Sequence, residues 1–199
     1  MSWQRVKLSE ISNVIAGQSP ESIFYNKDGI GKPFFQGKAD FNDDFPSVRY
    51  YTSKVTKTAN INDILLSVRA PVGPTNICTI DACIGRGLAA IRVGEHLYYK
   101  FLYHYFKSIE RKLSASGNGS TFSAITTNDV KNILVPLPPL AIQKQIAEIL
   151  DKADALRKKD VELLKHYDAL AQSLFINMFG DPVRNEKGWE VKRIKELLE

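Results

Sequence analysis

Cysteine is nearly absent: Cys78 and Cys83 are the two thiols in 199 residues, and no His or Cys cluster accompanies them. A zinc site takes about four such ligands. The sequence therefore offers no metal centre, and the pair reads as buried or bystander thiols of a reducing cytosol. No apolar stretch of signal-peptide type opens the chain, and no run approaches the roughly 18 apolar residues that span a bilayer. Catalytic signatures are missing too. No Gly-x-Gly-x-x-Gly follows a plausible strand, so a turn for S-adenosylmethionine is lacking. The single Pro-Pro pair lies in Leu137-Pro138-Pro139-Leu140. It lacks the polar residue and the aromatic with which an adenine methyltransferase holds and stacks a flipped base. His96, His104 and His166 lie in or beside expected helices with no nucleophile to serve. Asp181 with Glu190-Val191-Lys192 has a spacing faintly like a nuclease's magnesium set, but it sits where two sequence units join. We expect no catalytic and no metal-binding residues.

Hydrophobic residues make up 44% of the chain and aromatics 10%, enough for a packed core. The formal net charge is +5, with a pI near 9.1. All of the excess lies in the first 140 residues, which hold 16 Lys and Arg against 11 Asp and Glu; residues 141–199 hold 11 of each. A basic part beside a neutral one suits a polyanionic partner for the first alone. Ordinary solubility charge has the same look.

Residues 1–139 read as a mixture of strands and helices. Lys32–Gly37, Asp63–Arg69 and Gly87–Gly94 are short β-like runs bounded by turn signals. From Leu97 to about Leu113, apolar residues recur at three- and four-residue steps and predict a helix. A polar loop, Ser114–Ser120, follows. Thr127-Asn128-Asp129 can cap a short turn before Ile133-Leu134-Val135. Pro136-Leu137-Pro138-Pro139 then ends the pattern, being stiff and extended. Ala141–Phe179 holds neither Pro nor Gly. Ile142, Ile146, Ile149, Ala153, Leu156, Asp160, Leu163, Tyr167, Leu170 and Leu174 alternate at steps of four and three, a coiled-coil seam with one acidic member. Gly180 and Pro182 close it. Thirty-nine helical residues rise about 58 Å, whereas a 140-residue domain is roughly 37 Å across. About 20 Å of apolar stripe is left over, so the helix requires a second helix, in this chain or another.

The chain also resembles itself. Trp3-Gln4-Arg5-Val6-Lys7-Leu8-Ser9-Glu10-Ile11 aligns without gaps on Trp189-Glu190-Val191-Lys192-Arg193-Ile194-Lys195-Glu196-Leu197. The second copy starts just after a helix stop, where a new unit would begin. The expected organisation is α+β: a globular mixed α/β domain at 1–139, one long coiled-coil helix at 140–180, and a junction with the start of a truncated repeat at 181–199.

Several segments resemble a known family. Gly119-Ser-Thr-Phe-Ser-Ala-Ile-Thr126, followed by Val135-Pro-Leu-Pro-Pro-Leu-Ala-Ile-Gln-Lys-Gln-Ile-Ala-Glu-Ile-Leu150, is similar to a target-recognition domain passing into its spacer helix. So are Asp63-Ile-Leu-Leu-Ser-Val-Arg-Ala-Pro-Val-Gly73 and Ala82-Cys-Ile-Gly-Arg-Gly-Leu-Ala-Ala-Ile-Arg92. Met178-Phe-Gly-Asp-Pro182 with Lys187-Gly-Trp189 resembles the join between two halves. The family is the specificity subunits of type I restriction–modification enzymes. The resemblance implies two recognition domains, each followed by a long helix, with the helices antiparallel and each domain reading half of a split site on double-stranded DNA. It implies a non-catalytic cytoplasmic subunit of a prokaryote, partnered by methyltransferase subunits and a restriction/translocase subunit. Those partners would hold S-adenosylmethionine, ATP and magnesium. This chain is either half of a gene product or a natural half subunit. Two copies pairing as a homodimer would recreate the whole.

Recognition takes cations for phosphates and Arg, Lys, Asn or Gln for base edges. The candidates are Lys32, Gln36, Lys38, Arg49, Lys54, Lys57, Arg69, Arg86, Asn118, Ser120 and Thr121, several beside glycine or proline. Tyr50, Tyr51 and Phe35 can pack on sugars or methyls, or belong to the core. Dimerisation falls to Ile146, Ile149, Leu156, Leu163, Tyr167, Leu170 and Leu174. Lys144, Glu148, Lys152 and Arg157 on the outer face could dock the methyltransferase. Two rival readings stay open: a stand-alone DNA methyltransferase, and a non-catalytic coiled-coil module that binds protein.

Overall fold

The computed structural model describes residues 3–116 and 124–197. They form two compact units, 1–150 and 151–199. In chain order the first contains β1 (Arg5–Lys7), α1 (Leu8–Ile11), β2 (Ser12–Ala16), β3 (Tyr25–Asn26), β4 (Lys32–Phe35), β5 (Tyr50–Thr52), β6 (Thr58–Ala59), β7 (Ile64–Ser67), β8 (Thr75–Ile77), β9 (Ala82–Ile84), β10 (Leu88–Val93), α2 (Tyr99–Ser116), α3 (Thr127–Lys131) and β11 (Leu134–Pro136). The helix α4 (Leu140–Phe179) begins in this unit and runs into the second.

A four-stranded antiparallel sheet, ordered β2-β10-β7-β8, forms the middle layer of the first unit. Side chains on successive strand residues point to opposite faces, and here both faces are covered. Ile64, Leu66, Ala89 and Ile91 share one cluster with Phe101, Leu102 and Phe106 of α2, Val130 of α3, Val135 of β11 and Ala147 of α4. Leu65, Leu88 and Ala90 share another with Phe35, Ala59, Ala82 and Ile84 of a second sheet. That sheet is ordered β3-β5-β4-β9-β6, with β4 and β9 parallel and the other pairs antiparallel. The layers are thus helices, sheet, sheet. Burial on both sides explains why β7 and β10 read as continuous apolar runs, without alternation. Each fully buried Leu, Ile or Phe contributes about 1.5–3 kcal/mol.

The predicted strands and the helix after Leu97 are present with shifted ends: Leu97 is buried, but α2 starts at Tyr99. The short turn is capped by Thr126, one residue before the expected group. Its hydroxyl accepts the Asp129 N–H at 3.1 Å, and the Asp129 carboxylate accepts the Thr126 N–H at 2.8 Å. β1 pairs with β11 in register Val6↔Val135, closing the unit's first and last strands on each other.

The division between units falls at 150/151, inside α4 rather than at the prolines. Gln143 is the reason. It is wholly buried on the first turns of α4. Its carbonyl oxygen accepts the Tyr98 N–H at 2.8 Å, and its amide donates to the carbonyls of His96 at 2.9 Å and Pro138 at 2.8 Å. Three bonds and the neighbouring Ala147 tie the helix start into the domain core.

In the second unit, Gly180 ends α4 at φ 83°, the left-handed conformation glycine adopts without penalty, and its N–H bonds Ile176 at 2.7 Å. The Lys187 ammonium donates to the carbonyls of Asn177 and Met178, both at 2.6 Å, a cation at the negative end of the helix. The Trp189 indole donates to the Phe179 carbonyl at 2.7 Å. At the repeat offset, α1 falls on a 3-10 turn at Ile194–Leu197, and β1 falls on a segment without regular structure.

Candidate nucleic-acid interface

The register brings five strand ends to one place. β10 starts where β2 and β7 stop, with Ala89 opposite Ala16 and Leu88 opposite Ser67. β4 and β9 are parallel and stop together, Phe35 beside Ile84. The chain segments that leave these ends touch through backbone. Gly17 N–H bonds the Leu88 carbonyl at 2.9 Å, Gln18 N–H the Ile84 carbonyl at 2.9 Å, and Gly85 N–H the Phe35 carbonyl at 2.8 Å. Val68 N–H bonds Gly87 at 3.0 Å, and Arg86 N–H bonds the Ser19 hydroxyl at 3.1 Å. Glycine is required here by proximity. A Cβ on Gly17 would overlap the Gly85 carbonyl oxygen, and one on Gly87 would lie 2.7 Å from the Gln36 oxygen.

This glycine junction gathers four of the predicted DNA contacts. Gln36 follows β4, Arg86 lies between Gly85 and Gly87, Arg69 follows Val68, and the Lys57 carbonyl accepts the Ile84 N–H at 2.8 Å. All four side chains are exposed, and none has a polar side-chain partner among the described residues. The open alternative of internal salt bridges for Arg69 and Arg86 is not realised there. Arg69 pairs through its backbone with Ala124. Asn118, Ser120 and Thr121 lie outside the described residues.

The other candidates take no part in the junction's backbone bonds. Lys32 opens β4, opposite Thr52. Lys38 occupies a 3-10 turn that Asp40 stabilises by accepting the N–H groups of Gln36 at 2.6 Å and Gly37 at 3.2 Å. Arg49 is already engaged: it donates to the Ala39 carbonyl at 3.1 Å, stands 3.8 Å from buried Asp40 and lies over the Tyr50 ring. Lys54 is engaged too, with Glu21 at 3.3 Å and the face of Phe24. Phe35 is fully buried between the sheets, which removes it from any surface role, while Tyr50 and Tyr51 are half-buried.

Sequence reasoning missed Gln18, which the junction holds beside Ile84, although Gln18, like Gln36 and Arg86, adjoins a glycine. It also missed the buried acid Asp63, which takes Arg92 in two bonds at 3.1 and 2.9 Å. The Arg92 guanidinium is pushed up from its ordinary value, chiefly by that hydrogen-bonded pair. Such a pair is built for structure, since the Nε edge of the Arg92 guanidinium is taken by the buried carboxylate.

On α4, Ile146 is half-buried against the first unit's core. The remaining seam residues Ile149, Leu156, Leu163, Tyr167, Leu170 and Leu174 are between 47% and 66% exposed, an apolar stripe without cover among the described residues. Asp160 on that stripe is exposed. Asp154 nearby is partly buried, which works to raise its carboxyl, but hydrogen bonds from Arg157 and Lys158 hold it below the usual carboxylate range. No described helix is long and apolar enough to cross a membrane. Among the described residues no three His, Cys, Asp or Glu side chains gather as a metal set.

Residues 1–166 match the family described as the type I restriction modification DNA specificity domain. A protein of Methanocaldococcus jannaschii, which carries the provisional name of type I restriction enzyme MjaX specificity subunit, is 43% identical over 169 residues, 82% of this chain and 40% of that protein. The crystal structure of the HsdS subunit from Thermoanaerobacter tengcongensis superimposes with a TM-score of 0.71 at 43% identity, over 83% of this chain and 40% of that one. A structure solved for complex assembly and conformational transition of the type I R-M system gives 0.76 at 42% identity, over 89% and 43%. The chain therefore spans about two fifths of the length of these relatives. With its layered domain, its anchored long helix and this match across most of its length, the chain belongs to the family of type I restriction–modification DNA specificity domains.

Proposed function

We propose that this chain reads the sequence of double-stranded DNA and does no chemistry itself. The observation that carries this reading is the glycine junction: exposed Gln and Arg side chains without side-chain partners among the described residues, held on interlocked backbone, in a chain of this family. Planar forked groups of that kind suit base edges, and the lysines around them suit phosphates. In this reading methylation and cleavage belong to partner methyltransferase and restriction/translocase subunits, which hold S-adenosylmethionine, ATP and magnesium. The exposed seam of α4 pairs two copies antiparallel, and the homodimer presents two heads to a palindromic split site. Its outer face, with Lys144, Glu148, Lys152 and Arg157, docks the methyltransferase.

Purification of the complex from its native cell, with the chain tagged, tests the reading. A methyltransferase and an ATP-driven translocase are expected to copurify. Footprinting on the modified sequence is expected to show two protected segments with an open stretch between them. Binding that is absent, or insensitive to salt, would favour the protein-binding module. Binding of S-adenosylmethionine by the chain alone would favour the methyltransferase.

A further inference from the structure

We infer that Gln18, Gln36 and Arg86 form one base-reading set, each selecting its own base pair, while Arg49 and Lys54 take no part in sequence choice. The inference rests on the DNA-reading function proposed above and adds which residues carry the selection.

The first argument is positional. A bidentate contact to a base edge tolerates misplacement of about 0.5 Å, so readers must stand on backbone that cannot move. Gln18 is fixed through its N–H to Ile84 and through its carbonyl, which accepts the Thr56 hydroxyl. Gln36 is fixed through its N–H to the buried Asp40 carboxylate at 2.6 Å. Arg86 is fixed through its N–H to Ser19 and by flanking glycines packed on residue 36: a Cβ on Gly85 would lie 3.1 Å from the Gln36 Cα. The Ile84–Gly87 segment joins the three, through the Gln18 N–H on the Ile84 carbonyl and through Gly85 and Gly87 packed on Gln36, so the fold sets the spacing of the three side chains.

The second argument is chemical. All three side chains are exposed and unpaired among the described residues. An amide pairs with adenine N6 and N7, and a guanidinium with guanine O6 and N7. Beside Gln36, a side chain on Gly37 would meet only the Gly87 Cα at 4.0 Å, which leaves room there for a groove edge to come close. Arg49 and Lys54, which flank β5, differ. Their charged heads already have acidic partners and aromatic faces.

The test is selection from a random DNA library by the full chain in complex with its copurified partners. The wild type is compared with Gln18→Ala, Gln36→Ala, Arg86→Ala and Lys54→Ala. Each of the first three is expected to lose preference at one base pair, a different one in each case, by about tenfold or more. Affinity for unrelated DNA is expected to stay within about twofold, and Lys54→Ala is expected to keep the full wild-type preference. The inference is overturned if the three variants weaken binding uniformly over all sequences with a shallower salt slope, the mark of a phosphate contact. It is equally overturned if they keep the wild-type preference, or if Lys54→Ala loses it. A wild-type complex that selects no sequence sinks the proposed function as well.

Discussion

Loss of Gln143 cuts three bonds at once. Truncation to Ala takes their partner from the buried Pro138 carbonyl and from the part-buried Tyr98 N–H and His96 carbonyl. Each orphaned buried group costs about 1–3 kcal/mol. Gln143→Ala is expected to lower unfolding free energy by at least about 2 kcal/mol in a urea titration, and a loss below about 0.5 kcal/mol would show that the bonds are not formed. Cys78 makes a second residue-level case. Burial pushes its thiol up to about 12, against the lowering effect of the bond it donates to Ile80. In the unfolded chain the thiol titrates near its usual 9.0. Between those values the unfolded form releases a proton that the folded form keeps, so stability is full below the lower value and declines as pH rises above it. Cys78→Ala is expected to flatten that alkaline decline. At pH 8 the native thiol is expected to resist alkylation and to react once denatured, as mass mapping would read.

Among the elements, the junction of strand ends was the least legible from sequence. β7, β10 and α2 announce themselves through apolar runs and helical spacing. β3, β5, β6 and β9 have two or three residues each and no period to detect; they exist because a parallel and several antiparallel partners hold them. Gln36 and Arg86 were visible as polar side chains next to glycines. The sorting of the candidates into free and engaged was not, because Asp40, Glu21 and Phe24 reach Arg49 and Lys54 only in the fold. Gly17 and Gly37 test the junction. Gly17→Ala drives a methyl into the Gly85 carbonyl, and overpacking of this kind costs about 1–3 kcal/mol. Gly37→Ala meets ordinary contact at 4.0 Å on extended backbone and is expected to cost under about 0.5 kcal/mol. Equal losses in thermal melts would contradict the packing described. The cap of α3 adds a pH signature. Hydrogen bonds from Thr126 hold the Asp129 carboxyl below its usual 3.8, so the cap contributes fully above that value and is lost as pH falls through the lowered one. Thr126→Ala is expected to remove about 1 kcal/mol through the lost N-cap bond and to weaken the fall in stability on acidification that the Thr126–Asp129 bond produces.

For the molecule as a whole, the proposed assembly rests on the seam of α4. Leu163 and Leu170 are each about half exposed in the single chain, so changing them does not touch the core. The double variant Leu163→Glu, Leu170→Glu is expected to convert a dimer into a monomer in light scattering, with unchanged helical content by circular dichroism. A wild type that is already monomeric at high concentration would remove the pairing. The long helix was plain in the sequence, but its anchoring was not. Gln143 stands out as one more polar residue in a helix, and only the three carbonyl and amide groups around it reveal that the helix starts inside the domain. A different consequence follows from the bare backbone beneath positions 18, 36 and 86. Nothing inside the domain leans on those side chains, and surface exchanges of this kind cost within about 0.5 kcal/mol. If these positions read bases as inferred, new target preferences are reachable by single codon changes, and a library varied at those three codons is expected to remain almost entirely folded.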